Sequence, residues 1–279
     1  MSGAIKFLLE TVVTLLQSLS SNDGILTKSL DSYLPELYKY AVLIMETVMM
    51  PVAYTILALF FLLEIQKIST KVESGGGAPT TGFEMVMKTM VKMALCKMVI
   101  DSLSLILRAI MELSVYLIQK IMGLVSSSQV KGNIVDVNAV VTKVEDMSFW
   151  EALGVLIVLI IVVLVTIIAI VFARVMVVMR FFELYLLFAV SPLPIATLPH
   201  DEFSSVAKNF LKNFIAVSLQ GVLIFLVLSF YPILINSAFM GDNSGNVFMA
   251  MVAVLGYSFV LIISIFATGK WSKSITNAS

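Results

Sequence analysis

The sequence predicts an all-helical, polytopic membrane protein with about five spanning helices, and three observations predict it. Apolar residues make up 59% of the chain and charged residues only 13%, about half the charged share of a soluble domain. The run Ala152–Ala173 carries no charge and is long enough for the ~30 Å of hydrocarbon in a bilayer. Polar stretches rich in Gly, Pro and Ser punctuate apolar helical patterns along the chain, as loops punctuate spans. The mean hydropathy of +1.03 agrees. A soluble fold of this length needs more polar surface than this chain supplies.

Charge and composition also exclude function classes. The 18 basic and 18 acidic residues cancel, so there is no basic excess of the kind that grips nucleic acid. Single cysteine and histidine residues, Cys96 and His200, leave no disulfide and no cysteine or histidine metal cluster. Phosphate-loop, dinucleotide and zinc-protease patterns are absent. The reading is a protein that is not an enzyme, with no catalytic, cofactor or metal residues. Glu10 interrupts the first apolar run, and no convincing signal-peptide cleavage site follows.

In chain order, Ala4–Ser20 reads as an amphipathic helix lying on the membrane or, since it is poor in basic residues, on a partner. Residues 1–36 form the N-terminal outer segment. The first span runs about Tyr40–Ile65, with Glu46 and Glu64 inside or at its edge and a kink expected at Pro51. A flexible linker, Ser69–Gly82, follows around Gly75-Gly76-Gly77-Ala78-Pro79. Residues 83–124 form one long helical pattern whose membrane part is Cys96–Ile121, and residues 37–125 thus hold two spans and a glycine-rich loop. Residues 126–151 form an outer polar loop, with a short strand or helix around Val135–Val141. Residues 152–279 hold the last three spans. The third span continues past Arg174 and Arg180 to Val190, as one helix or as an interfacial or re-entrant piece. Ser191-Pro192-Leu193-Pro194 stops it. A new helix starts after Pro199-His200, with Asp201 and Glu202 favourable at its N-terminal dipole. It becomes the fourth span, Asn213–Met240, and the turn Gly241–Gly245 leads to the fifth, Asn246–Gly269.

Basic residues favour the cytoplasmic side of short flanking loops. Lys67, Lys71, Lys88 and Lys92 mark one such loop, Arg174, Arg180, Lys208 and Lys212 another, and Lys270 and Lys273 the tail. The alternation puts the N-terminus outside and the C-terminus inside.

The most informative polar feature is a seam on the second span. Asp101, Arg108, Glu112 and Gln119 are spaced 7, 4 and 7 apart, which returns them to within roughly 20° of one line on a helix. Intramembrane charges are costly and face a bundle interior or water, so the seam lines a channel or packs subunits. The plainer alternative is mutual neutralisation of Arg108 and Glu112 at i, i+4, buried against Glu46. A second candidate is a cytoplasmic elbow of Arg180, Glu183, Pro192 and Pro194, in which Arg180 and Glu183 pair at i, i+3 and the prolines end the helix or act as a hinge. His200 beside Asp201 is a pH sensor or, more simply, a capping-region residue. Met85, Met87, Met90, Met93 and Met98 read as gap-filling packing rather than a copper site, because lysines surround them.

The arginine-bearing exit of the third span continues as Arg180-Phe181-Phe182-Glu183-Leu184-Tyr185-Leu186-Leu187-Phe188-Ala189-Val190-Ser191-Pro192-Leu193-Pro194-Ile195-Ala196. With the entrance Asn209-Phe210-Leu211-Lys212-Asn213-Phe214 toward Leu219-Gln220, and with five spans, it resembles the TrbL and VirB-six class. These are polytopic membrane subunits of conjugative type IV secretion systems, here most like versions from Gram-positive integrative elements. The resemblance implies a non-enzymatic channel or scaffold subunit of the cell (cytoplasmic) membrane. It also implies a homo-oligomer, with five copies the number suggested, that works with secretion ATPases and other subunits. Transient contact with translocated single-stranded DNA and its relaxase belongs to the same implication. The alternative function is a solute or ion transporter using Glu46, Asp101, Arg108 and Glu112, which the lack of internal repeats disfavours.

Overall fold

The computed structural model describes residues 26–75, 79–127, 149–240 and 247–278, with isolated positions before residue 15 and at 142. Among them all regular structure is helical. The elements are α1 (Leu30–Tyr33), α2 (Pro35–Ile44), a π turn (Met45–Met49), α3 (Met50–Gly75), α4 (Pro79–Asp101), α5 (Leu103–Ser127), α6 (Phe149–Val190), α7 (Pro192–Ile195), α8 (Ser204–Met240) and α9 (Val247–Thr276). Four stretches are long and apolar enough to cross a membrane: Pro35–Glu73, Leu153–Val190, Ser204–Ser237 and Phe248–Thr276. The expected second span on α4–α5 is not among them; Lys97, Asp101, Arg108, Glu112 and Lys120 lie along it.

Several boundaries differ from the sequence reading for local reasons. Pro51 lacks an N–H, and its ring crowds the carbonyl four residues back, that of Thr47. The helix takes up this mismatch as the π turn just ahead of it, where the Met50 N–H reaches the Met45 carbonyl, so α2, the π turn and α3 form one continuous path. The linker expected from Ser69 is helical up to Gly75 and again from Pro79. Thr70 Oγ1 bonds back to the carbonyls of Gln66 and Lys67 within this stretch, and Pro79 takes the first position of α4, where a missing N–H costs nothing. The long pattern 83–124 is two helices separated only at Ser102, whose N–H still donates to the Met98 carbonyl at 3.0 Å. The third span and the stretch Val175–Val190 are a single helix. At 1.5 Å per residue α6 is about 63 Å long. The amphipathic helix start after Pro199-His200 and the fourth span are likewise one helix, α8, with Pro232 inside it. The glycine centre at 76–78, most of the N-terminal amphipathic helix, the loop around Val135–Val141 and the turn Gly241–Gly245 lie outside the described residues.

The chain divides into two compact units, 1–28 with 114–180 and 219–272, and 29–113 with 181–218 and 273–279. In the first unit, α6 buries Val155, Leu159, Val162, Thr166, Ala169, Ala173 and Val177. In α9 the buried positions include Ala250, Met251, Val254, Ser258, Leu261, Ile265, Thr268 and Ser272. From Val155 to Val177 and from Val254 to Ser272 the steps are of three and four, the seam spacing of packed helices. Tyr231 and Ser258 share a hydrogen bond of 2.8 Å inside this unit, which satisfies two polar groups that would otherwise be costly there. Phe172 and Phe266 meet edge to face at 5.5 Å.

In the second unit, α3 packs against α4 and against the short α7. Gly82 lets α4 approach closely, since a Cβ there would stand 3.1 Å from Val72. α1 docks on the end of α6. The Tyr185 hydroxyl donates to the Leu30 carbonyl at 2.6 Å and accepts from the Leu34 N–H at 3.2 Å, while Tyr33 stacks on Phe181 at 4.2 Å. Asn277, at φ 49°, caps α9 in the left-handed conformation that asparagine tolerates. Its carbonyl accepts from Lys212 at 3.3 Å.

A polar seam, a buried elbow and an ion-pair cluster

α4 and α5 place the seam by burying the opposite face. Met93, Cys96, Ile100, Leu103, Leu107 and Met111 are buried, which turns Asp101, Arg108, Glu112 and Gln119 outward, all exposed. Asp101 accepts hydrogen bonds from the Tyr54 hydroxyl at 2.5 Å and from Lys97 at 3.1 Å. Arg108 pairs with Asp31 at 3.6 Å, and the hydrogen bond from Ser29 chiefly holds the Asp31 carboxyl below the usual aspartate range, with Arg108 adding to it. The neutralisation of Arg108 by Glu112 against a buried Glu46 is therefore corrected. Arg108 reaches across to the N-terminal segment instead of along its own helix, and Glu46 and Glu112 are exposed. A guanidinium spans more than one turn of chain, and Asp31 is carried to it by the docking of α1, which no spacing along α5 announces. Asp101 thus bonds Tyr54 and Lys97, while Arg108 pairs with Asp31.

The elbow residues have separate settings. Arg180 is fully buried in the first unit, and its guanidinium fills the notch where Gly221 has no side chain. The sequence expectation of an arginine at a cytoplasmic rim does not foresee this burial. Glu183 is half-buried. Pro192 is buried and Pro194 half-buried in the second unit, where Ser191 Oγ donates to the Phe188 carbonyl at 2.8 Å and Cys96 Sγ lies 3.6 Å from the Ile195 carbonyl. The elbow is thus an interior element, not a surface loop.

The sequence reading missed the cluster that joins three segments of the second unit. His200 is buried, its ring against Phe60 at 5.0 Å and Phe203 at 5.2 Å. Lys67 of α3 lies 3.4 Å from His200 Nε2 and 3.4 Å from Glu202. An ammonium only donates, so Nε2 accepts and the ring proton sits on Nδ1, which has no hydrogen-bond partner among the described residues. Lys92 of α4 pairs with Asp201 at 2.7 Å, and this bond holds the Asp201 carboxyl below its ordinary value. The His200 carbonyl accepts the Ser204 N–H at 2.8 Å and so caps α8, as the capping-region reading expects. Opposite charges on segments over a hundred residues apart leave no spacing signal, and only the acidic pair at the helix start was visible. Among the described residues no group of three His, Cys, Asp or Glu side chains is placed to hold a metal ion.

Long apolar helices, four of them among the described residues able to cross a bilayer by length and composition, define a multi-pass helical membrane protein. The family described as TrbL/VirB6 plasmid conjugal transfer like protein matches residues 17–192. The chain belongs to this family, and is thus a membrane protein of conjugation and type IV secretion. Comparison with curated proteins and with solved structures found no match.

Proposed function

We propose that this protein is a non-enzymatic channel or scaffold subunit of a conjugative type IV secretion system, which helps DNA-protein substrate across the cytoplasmic membrane. The observation that carries the reading is the family match over residues 17–192. The outward-facing seam supports it. Tyr54, Lys97, Asp101, Arg108, Glu112 and Gln119 on or beside an apolar helix pair are costly against lipid, and further copies of the chain or a water-filled path relieve that cost. In this reading α4–α5 supplies a fifth crossing, and the segments 1–36, 37–125, 126–151 and 152–279 keep the roles the sequence assigns them. The N-terminus lies outside and the C-terminus inside. The pairs Lys67–Glu202 and Lys92–Asp201 tie together two segments that the positive-inside rule puts on the same side. The copies form a homo-oligomer that engages the secretion ATPases and other subunits, with transient contact to the passing DNA and relaxase.

The test is a clean deletion scored for transfer and growth. Transfer should fall to background while growth is unchanged, the wild-type chain should restore it, and Asp101→Asn or Arg108→Gln should restore it incompletely at normal membrane levels. Undiminished transfer in the deletion strain would sink the reading.

A further inference from the structure

We infer that α1 is a latch hinged at Leu34, whose Asp31 masks Arg108 of the seam and whose opening frees that arginine. The inference rests on the seam being a working surface of the secretion subunit, and it adds a restraint on that surface.

The joint is one residue wide. Leu34 stands outside helical geometry, at φ −135° and ψ 82°, and Pro35 after it has no N–H to carry a helix across. Among the described residues no backbone hydrogen bond runs between α1 and α2. In an unbroken helix the Leu34 N–H donates to the Leu30 carbonyl. Here both groups turn to the Tyr185 hydroxyl, which donates to the Leu30 carbonyl at 2.6 Å and accepts from the Leu34 N–H at 3.2 Å. A side chain of α6 thus stands in for one rung of the ladder. The stack of Tyr33 on Phe181 at 4.2 Å is the other hold on α1. Hinges are built this way, with one or a few residues taking up the whole φ/ψ change.

What α1 covers is charge. Arg108 and Asp31 stand 3.6 Å apart with each side chain about half exposed, beyond the length of a good hydrogen bond. A rigid strut uses short paired bonds between guanidinium and carboxylate. The close bond of Asp31 goes instead to Ser29 of its own segment. The Ser29 carbonyl also starts α1, accepting from the Ser32 and Tyr33 N–H groups at 3.2 and 3.1 Å. Asp31 is therefore positioned from within α1 and moves with it as one piece. Tyr38 of α2 lies beside the same arginine but on the other side of the joint. Opening at Leu34 removes the negative charge from Arg108 and leaves the seam in place.

Two measurements test the latch. In the purified full chain with Cys96→Ser, a maleimide should modify Leu30→Cys slowly, because Leu30 is 2% exposed, and the exposed Ser32→Cys fast. Adding Tyr185→Phe should speed Leu30→Cys by roughly tenfold through local opening. The buried native Cys96, in a chain carrying only Tyr185→Phe, should stay slow. No acceleration at position 30, or an equal acceleration at Cys96, would overturn the hinge. In conjugation assays at matched membrane levels, Asp31→Asn should raise transfer roughly two- to fivefold, the shift that loss of a half-exposed ion pair allows, while Arg108→Gln lowers it. Both changes break the same pair, so a strut predicts two losses. Transfer that is unchanged or lower with Asp31→Asn would overturn the latch. Normal transfer with Arg108→Gln would remove the seam role beneath it, whereas the secretion role itself stands or falls on the deletion strain.

Discussion

The stretch Pro35–Glu73 and helix α8 are both apolar enough to cross a membrane, yet the protein treats them oppositely. In the most apolar window of Pro35–Glu73 only 11% of residues are buried, against 56% for Ser204–Ser237. Mean hydropathy in the two windows is nearly the same, 2.1 and 2.2. Hydropathy therefore identifies what can enter lipid, while burial separates helices that hydropathy ranks alike. α8 keeps more than half of its window covered, whereas α3 presents Leu59, Leu62 and Leu63 outward, to lipid or to neighbouring chains.

The contrast is broken or sharpened by substitutions on each side. The largest effect should come from Phe214→Ala on α8, a fully buried ring. Its loss costs about 3–5 kcal/mol, read as a lowered unfolding midpoint in detergent. Gly221→Ala comes next, because the new methyl group overlaps the Arg180 guanidinium. Overpacking of this kind costs about 1–3 kcal/mol. Gly256→Ala on α9, where nothing lies within 4 Å, should be neutral or stabilising, and equal losses at the two glycines would remove Arg180 as the cause. Tyr185→Phe follows, since it leaves the Leu34 N–H and the Leu30 carbonyl without their partner, at about 1–2 kcal/mol. Faster proteolysis near residues 26–34 should accompany it.

The pH effect is smaller. The folded Asp201 carboxyl titrates below its ordinary value because of Lys92. Its stabilisation is thus fully present above the ordinary aspartate value of 3.8 and is lost as pH falls through the lower folded value. The exposed setting of this pair limits it to roughly 0.2–0.5 kcal/mol. Wild type and Asp201→Asn should therefore differ slightly in unfolding midpoint near neutrality and converge in strong acid; a difference that grows in acid would contradict the assignment. Leu62→Ala should be the least costly, within about 0.5 kcal/mol in detergent. A loss as large as that at Phe214 would mean that the outward face of α3 is not outward.

How far the site was legible differs residue by residue. The seam was legible because its 7, 4, 7 spacing is a property of one helix, and the structure keeps Asp101, Arg108, Glu112 and Gln119 exposed on one side. Their partners were not, since Tyr54 and Asp31 arrive from other segments. The prolines announced the end of α6 but not that the break is interior. Arg180 was visible as a charge but not as a buried one, because nothing along the chain marks Gly221 as the notch that receives it. The Lys67–His200–Glu202 cluster had no spacing to betray it.

By itself the sequence determined the solvent and the class of fold: a chain this poor in charge, with uncharged runs such as Ala152–Ala173, buries its surface in lipid as helices, because only helices satisfy their own backbone there. Only the tertiary structure decided which face of each helix is inside. In α6 and α9 every face is apolar, so the buried three-and-four spacing of Val155–Val177 and Val254–Ser272 carries no contrast in hydropathy. It is set by shape, small hydroxyls and close fit between helices, which are properties of pairs of segments and not of either segment alone.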